Sequence, residues 1–394
     1  MRMVRLFVCV AALCLSANLK ALAGDMLTPV VASAMKPSTI AFRGTDNKLH
    51  LVYELEITNT GSATATLEGV DVVSATDSKQ VLASFEGAAL LSRLRYAGRG
   101  DAMTAATIGF SETRLLLIDI ALDGDAQPPA RLMHRFHLLA GGPPGSPKDL
   151  AVEQTYTIAP IAVSTDVMVL GPPLSGKGWV ALNGCCEAGG VHRGSGQPVN
   201  GVMQYAQRFA IDWMLLGAGA KFYRGDGKGV KDYFDYGATV IAVADGTVLD
   251  ALSTLDDQVP GDLPDPKTIT IENVDGNHIV LDLGGGRYGF YAHLQRNSLL
   301  VHKGDHVKRG QALALLGNTG NTSAPHLHFH LMDGTSVLGS SGLPYIIDHF
   351  EVAGQLPVEQ FNKDGLNGEW SKGLLANPSS RKLEFPVDLT VVDF

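Results

Sequence analysis

The stretch Gly317–His330, GNTGNTSAPHLHFH, decides how the C-terminal half of this 394-residue chain is interpreted. Its first part is rich in glycine, asparagine and serine, which favour turns. Pro325 disfavours helix for the residue before it, so we expect the chain to become extended there. On a strand, His326, His328 and His330 would share one face, because side chains at every second position point the same way. The intervening apolar residues would then face the core.

Three imidazoles on one strand face are difficult to explain by stability alone. A single strand histidine is usually structural or solvated. Two histidines separated by one residue, directly after a rigid loop, instead favour metal binding or catalysis. Imidazole is the commonest metal ligand in proteins and titrates close to neutral pH. The sequence therefore places the candidate site at His326–His330.

The N-terminus has the pattern of a secretory signal peptide. Arg2 and Arg5 precede an apolar run over residues 6–17, and Ala21–Ala23 offers a small-x-small cleavage site. We therefore expect residues 1–23 to be removed and the protein to be secreted or periplasmic in a bacterium. Lys20 ends the apolar run too early for a membrane anchor, and the rest of the sequence has no stretch that predicts a transmembrane segment.

Charge and cysteine content narrow the function further. The formal net charge is −9, and it becomes −12 without the three basic residues of the leader. An acidic chain of this kind argues against nucleic acid as a partner. Only Cys185 and Cys186 lie beyond the leader. Adjacent cysteines either form a vicinal disulfide or lie near a metal, and the sequence does not decide between these alternatives. The sequence does not indicate the oligomeric state either.

The chain is predicted to be mainly β. Residues 24–170 are expected to form an immunoglobulin-like β-sandwich, because short alternating runs such as Leu49–Ile57 are separated by turn residues. Gly171-Pro172-Pro173 marks the expected boundary. Residues 171–344 are expected to form a mainly antiparallel β domain, and residues 345–394 a C-terminal extension whose packing partner the sequence does not indicate. Within the second domain, Asp245-Gly246 between apolar runs predicts a hairpin.

Four segments of the second domain resemble the lysostaphin/LytM family of zinc endopeptidases, over roughly residues 178–335. They are FAIDW at 209–213, AVADGTV at 242–248, YAH at 291–293 and the GNTGNTSAPHLHF stretch. The resemblance implies an antiparallel β fold with a duplicated hybrid motif, a Zn²⁺ cofactor and the peptides of peptidoglycan as substrate.

The resemblance also implies roles for particular residues. Asp212 and His328 correspond to zinc ligands, His326 to the general base, and His293 to a second imidazole that stabilises the transition state. A zinc ion with three protein ligands keeps a position for water and lowers the pKa of that water towards about 7. A neighbouring neutral histidine can then accept its proton.

One position departs from the family pattern. Arg208 lies four residues before Asp212, where the family has its first histidine ligand, and a guanidinium has no lone pair for a metal. We expect His192, after a glycine-rich turn, to replace that ligand, with Cys185 or Cys186 as weaker candidates. Arg208 itself is interpreted as a substrate-binding residue that orients a carboxylate or the polarised carbonyl.

The function predicted from these residues is a secreted zinc metalloendopeptidase that hydrolyses peptide bonds in peptidoglycan. An alternative is a catalytically degenerate LytM-like module that binds cell wall or activates another wall hydrolase, and a third is a metallopeptidase acting on proteins. The role of the N-terminal domain stays open. Seven further histidines are expected to be structural or solvated: His50, His134, His137, His278, His302, His306 and His349.

Overall fold

A computed structural model describes residues 26–97, 103–141 and 151–394. The expected signal peptide at 1–23 lies outside the described residues. The described residues are mainly β-strand, as the sequence predicts. The longest α-helix among them has only seven residues, which is far short of the length that a bilayer-crossing helix requires.

The N-terminal part contains strands that all precede residue 165. They are β1 (Val30–Ala34), β2 (Ser38–Ile40), β3 (Phe42–Arg43), β4 (Lys48–Asn59), β5 (Ala65–Ser74), β6 (Val81–Glu86), β7 (Leu94–Tyr96), β8 (Thr107–Ile108), β9 (Thr113–Asp123), β10 (Arg131–Gly141) and β11 (Ala151–Ser164), with helix α1 (Gly87–Leu91) between β6 and β7.

These strands form two sheets that share one core. One has the order β1-β4-β9-β7, with β3 also paired to β4, and the other has the order β2-β11-β10-β5-β6, with β8 paired to β5. Alternating apolar residues of both sheets, such as Leu51 and Leu55 from β4 and Val70 and Val72 from β5, are buried together. Because these apolar side chains form one shared core between the sheets, the two sheets pack face to face as a β-sandwich.

The remaining strands run from residue 168 to the C-terminal end. They are β12 (Met168–Leu170), β13 (Trp179–Leu182), β14 (Gln197–Val199), β15 (Val202–Gln204), β16 (Ile211–Leu215), β17 (Thr239–Ile241), β18 (Gly246–Leu252), β19 (Asn277–Asp282), β20 (Tyr288–Leu294), β21 (His306–Val307), β22 (Ala312–Leu315), β23 (Leu327–Met332), β24 (Gly342–Leu343), β25 (Tyr345–Ile347), β26 (Phe350–Gln355), β27 (Leu374–Arg381) and β28 (Thr390–Asp393), with α2 (Val358–Asp364) and 3₁₀ turns at Val230–Asp232, Pro266–Thr268, Gly365–Asn367 and Ser371–Gly373.

One large sheet organises this part of the chain. Its order is β21-β18-β19-β20-β23-β16-β13-β28-β26-β27, with β24 paired to β23. Neighbouring strands along this order are antiparallel, as predicted. Leu327, Phe329 and Leu331 of β23 lie in its main apolar core, which confirms the expected alternation along the HLHFH strand.

One feature differs from the sequence-based expectations, and the structure adds another that the sequence left open. Asp245-Gly246 does not close a hairpin: β17 pairs with β22, and β18 pairs with β19 and β21. The Asp245 carboxylate instead accepts hydrogen bonds from the side chain of Lys308 and the backbone of Arg309. The packing of residues 345–394, which the sequence left open, is against the second domain: β26, β27 and β28 continue the large sheet, and β28 pairs with β13.

Residues on the N-terminal side of the expected domain boundary contact residues on its C-terminal side. β12, which precedes Gly171, pairs in parallel with β25 near the C-terminus. Phe42 and Val52 of the sandwich lie in the same apolar cluster as Phe209 and Ile211. The two parts of the chain therefore pack against each other through a shared apolar contact.

Candidate metal centre

Three neighbouring strands of the large sheet carry the candidate site. β23 lies between β16 and β20, and His328 is directly opposite Asp212 on one side and Ala292 on the other. His293 follows Ala292 at the end of β20, and His326 immediately precedes β23. The antiparallel register therefore brings Asp212, His326 and His328 to one face. His293 joins the same cluster because its positive φ departs from the strand alternation.

A loop between β13 and β14, residues 184–195, brings His192 to the same face. Its Nδ1 lies 2.9 Å from the carbonyl oxygen of Asn183 and 3.1 Å from that of Ala210. Both partners are acceptors, so Nδ1 carries the proton and donates. The Nε2 lone pair then points at the Asp212 carboxylate, 3.4 Å away.

His328 is held between a carboxylate and another imidazole. Its Nδ1 lies 2.9 Å from Oδ1 of Asp212, and its Nε2 lies 2.9 Å from Nδ1 of His330. The second contact allows Nε2–H of His328 to donate to His330, which leaves Nδ1 of His328 with a free lone pair. His330 is fully buried and packs its ring against Phe290.

His293 and His326 form the other side of the cluster, with ring centroids 4.5 Å apart. Nδ1 of His293 donates to the Thr319 carbonyl at 2.7 Å, and Nδ1 of His326 donates to the Ala324 carbonyl at 2.8 Å. The Nε2 atoms are left as acceptors, and that of His326 lies 3.3 Å from Asp212. His293 has a φ of 61°, a strained backbone that costs on the order of 1–3 kcal/mol and is held by its surroundings.

The GNTG loop fixes the carbonyl that orients His293. Gly276 and Gly320 both have positive φ, and their backbones interlock so closely that a Cβ on Gly320 would lie 2.2 Å from the Gly276 nitrogen. The Thr319 hydroxyl between them donates to the Leu294 carbonyl at 3.0 Å and accepts from the Asn277 N–H. Glycine is required at these positions because no side chain fits the approach.

The donor set fits a metal ion. One donor atom from each of His192, Asp212 and His328 lies within 4.8 Å of the other two. Because carbonyl groups and His330 can hold the imidazole protons on the far side, lone pairs and a carboxylate face one another here, and a cation relieves that repulsion. Two histidines and one carboxylate suit zinc. His293, His326 and His328 also bring one donor atom each within 4.8 Å of one another, but this second group lacks a carboxylate.

The ionisable groups in the cluster shift one another's pKa values. Burial alone would raise the pKa of the Asp212 carboxyl, but the His192 and His326 imidazoles hold it well below its usual value. Burial opposes protonation of His192 and His326, and Asp212 outweighs it so that both pKa values are raised. Burial lowers the pKa of His328 to about 4 and that of His293 well below its usual value. Protons and a metal ion therefore compete for the same lone pairs.

Asp275 and His278 have surroundings that the sequence did not indicate. Asp275 lines the cleft beside the cluster, accepts a hydrogen bond from Gln207 at 3.3 Å, and has its pKa raised by burial to about 7. In the sequence, Asp275-Gly276 is indistinguishable from an ordinary turn. His278, expected to be solvated, is buried and donates from Nδ1 to the Gly276 carbonyl.

Arg208 does not have the substrate-binding position that we expected. Its guanidinium is buried, donates to the Gly342 carbonyl at 2.8 Å and pairs with Glu54 of the sandwich at 2.6 Å. The side chain is committed to these partners and does not line the cleft beside the histidines. Cys185 and Cys186 form a disulfide, so their sulfurs are not thiolate ligands.

Comparison with known proteins finds a family match in the C-terminal part of the chain. The profile of Peptidase family M23 matches residues 226–338. This span contains His293, His326 and His328, whereas His192 and Asp212 precede it. The peptidoglycan DD-endopeptidase ShyA of Vibrio cholerae serotype O1 is 44% identical over 57 residues, which are 14% of this chain and 13% of the relative. An uncharacterised metalloprotease of Haemophilus influenzae is 34% identical over 102 residues, which are 26% of this chain and 18% of the relative.

Two solved structures are similar at lower identity. The catalytic domain of lysostaphin from Staphylococcus simulans is 24% identical with a TM-score of 0.23, over 36% of this chain and 78% of that one. A zinc-containing peptidase from Vibrio cholerae is 14% identical with a TM-score of 0.24, over 77% of this chain and 85% of that one. The family match over residues 226–338 confirms the resemblance noted in the sequence: this chain carries a Peptidase family M23 domain.

Proposed function

We propose that the chain is a zinc metalloendopeptidase in which His192, Asp212 and His328 hold the ion, and that it hydrolyses peptide bonds in peptidoglycan. The observation that carries this proposal is the convergence of those three donor groups within 4.8 Å, in a cluster that contains two further imidazoles, His293 and His326. The family match and the name of the ShyA relative support the substrate class.

Zinc in such a site supplies a Lewis acid and lowers the pKa of a bound water towards about 7. His326 is suited to accept a proton, because its Nδ1–H is committed to Ala324 and its Nε2 faces the cluster. His293 is likewise an acceptor at Nε2, since its Nδ1–H is committed to Thr319. It can donate to a developing negative charge only after it has taken up a proton.

The cleft beside these groups is open to an extended substrate. Polar side chains such as Gln207, Asn321 and Ser323 line it together with the apolar Leu263 and Leu338. A peptide can therefore find both hydrogen-bond partners and apolar contacts next to the imidazoles. A secreted or periplasmic location, through cleavage after Ala23, belongs to the same proposal because the substrate lies outside the cytoplasm.

Purified wall sacculi provide the test. We expect the zinc-loaded protein to release soluble fragments and to generate one new free amino group for each bond cut. His326→Ala should reduce the rate at least 100-fold, whereas the exposed His302→Ala should not change it. A panel of unfolded proteins run in parallel distinguishes a wall peptidase from a general protease. Zinc binding without cleavage of any substrate would favour the wall-binding or activator module instead.

A further inference from the structure

The residue after His192 ties the loop 184–195 to the N-terminal sandwich. Arg193 points away from the cluster and is only 1% exposed. Its guanidinium pairs with the Glu54 carboxylate and donates to the carbonyls of Tyr53 at 2.9 Å and Ile118 at 3.2 Å. Tyr53 on β4 and Ile118 on β9 are directly opposite each other in one sheet. Arg193 is therefore bound to the backbone of two strands at once.

Glu54 joins two segments that lead to the cluster. One carboxylate oxygen pairs with Arg193 and the other accepts from Arg208, four residues before Asp212. Glu54 is 2% exposed. Burial would raise its pKa, but the charges of Arg208 and Arg193 lower it, so the carboxylate is ionised between two guanidinium groups. Such a buried network is costly to break, because removal of one partner leaves uncompensated charge.

A second contact supports the same loop. Arg95 on β7 is buried and donates to the Ala188 carbonyl at 2.8 Å. Ala188 is packed with Leu115 and Leu117, whose side chains lie on the face of β9 away from the sandwich core. The loop that carries His192 thus rests on the outer face of the sheet formed by β1, β3, β4, β7 and β9.

We propose that the N-terminal sandwich is part of the scaffold of the metal centre, with Glu54 and Arg193 as positioning residues for His192. The loop 184–195 contains no strand or helix of its own, so its position depends on its anchors. Arg208 has the same role for the segment before Asp212. The inference rests on the proposed metal centre and explains why an arginine at position 208 is compatible with it.

Zinc affinity of the full chain tests this positioning role. We would measure it by competition with a chromophoric chelator for Arg193→Lys and Glu54→Gln. Arg193→Lys keeps the charge facing Glu54 but loses the two carbonyl contacts. We expect both variants to bind zinc about 10-fold to 100-fold more weakly, the range found when groups that orient ligands are removed.

Two controls separate positioning from general destabilisation. Glu56→Gln changes an exposed carboxylate on the same strand. Asp71→Asn removes the partner of Arg135 and His137 in the other sheet, which should lower stability without reaching the loop. Both should bind zinc as wild type does at a temperature where thermal melts show every variant folded. Wild-type affinity in Arg193→Lys and Glu54→Gln would overturn the proposal.

Hydrogen exchange provides a readout that does not depend on zinc. In the metal-free protein, we expect residues 184–195 to exchange faster in Arg193→Lys than in wild type, while β23 is unchanged. Unchanged exchange in this loop would contradict the proposal even if the wild type bound no zinc. A wild type without zinc, combined with faster loop exchange in the variant, would overturn the metal centre but not the anchoring.

Discussion

Nε2 of His328 and Nδ1 of His330 lie 2.9 Å apart. For Nδ1 of His328 to coordinate a metal, its proton must be on Nε2, and His330 is the acceptor that stabilises this tautomer. His330 then carries its own proton on Nε2, which is buried and has no hydrogen-bond partner within the described residues. A buried donor without a partner costs roughly 1–3 kcal/mol. The unpaired donor of His330 is therefore destabilising, and it is a consequence of the tautomer that orients His328 as a candidate ligand.

Replacement of His330 tests that relationship. His330→Leu removes the acceptor, and we expect zinc affinity to fall about 10-fold or more. His330→Gln supplies a carbonyl oxygen that can accept from His328, so it should retain more affinity than His330→Leu. Competition with a chelator measures both. Equal, wild-type affinity in the two variants would show that His330 only fills space.

Zinc binding should not require His293 or His326, the two imidazoles outside the proposed ligand set, whereas hydrolysis should require both. His293→Ala and His326→Ala are expected to keep about one zinc per chain and to lose at least 100-fold in the rate of hydrolysis. The physical reason is that their Nε2 atoms are acceptors facing the cluster, but three other groups already supply the ligands. Metal analysis and an amine-release assay on the same samples check this. Loss of zinc in both variants would identify His293, His326 and His328 as the ligand set.

The sequence predicted the local geometry of the site well and its long-range contacts poorly. The two-residue period of His326, His328 and His330 follows from strand geometry alone, and the structure confirms it. The direction of Arg208 could not be predicted, because its partner Glu54 is 154 residues away in the chain. The same holds for the tail, whose strand β28 joins the sheet beside β13.

The hairpin at Asp245-Gly246 shows a second limit of local patterns. A turn dipeptide between apolar runs indicates where the chain reverses, but it does not indicate which strands pair afterwards. In the structure, Val240 lies opposite Ala314 of β22, because burial of both strands in the core favours that partner. His192 was expected as a ligand on the evidence of residue type, yet its approach to Asp212 depends on a loop held by distant residues.

Interlocking of the GNTG loop with Gly276 predicts an unequal effect of two alanine substitutions. Gly310 and Gly320 both have φ near +80°, but a Cβ on Gly310 has open space around it. Gly310→Ala should therefore cost about 1–2 kcal/mol for backbone strain alone. Gly320→Ala adds a clash with the Gly276 backbone and should cost about 2 kcal/mol more. Urea unfolding measures both, and equal losses would contradict the close approach.

His134 in the sandwich predicts a pH dependence of stability. Its Nδ1 donates to the Ala159 carbonyl and its Nε2 accepts from the Tyr53 hydroxyl. Burial lowers its pKa from 6.5 to about 4. The unfolded chain takes up this proton as the pH falls through about 6.5, whereas the folded chain resists until about pH 4, so stability is lost on acidification across that window.

The size of this effect can be isolated with a variant. Between about pH 7.5 and pH 5, we expect the free energy of unfolding to fall by about 2 kcal/mol from this group. His134→Gln keeps a donor and an acceptor but does not titrate, so its pH dependence should be weaker by that amount. Urea unfolding at the two pH values gives the comparison. Parallel pH profiles for wild type and variant would exclude His134 as the source.

Zinc content of the protein purified without chelator tests the central claim most directly. Wild type, His192→Ala, His328→Ala and the exposed control His302→Ala would be compared by metal analysis. We predict about one zinc per chain in wild type and in His302→Ala, and its loss in His192→Ala and His328→Ala. Absence of zinc from the wild type after zinc is added, or full retention in His192→Ala, would contradict the metal centre proposed for this chain.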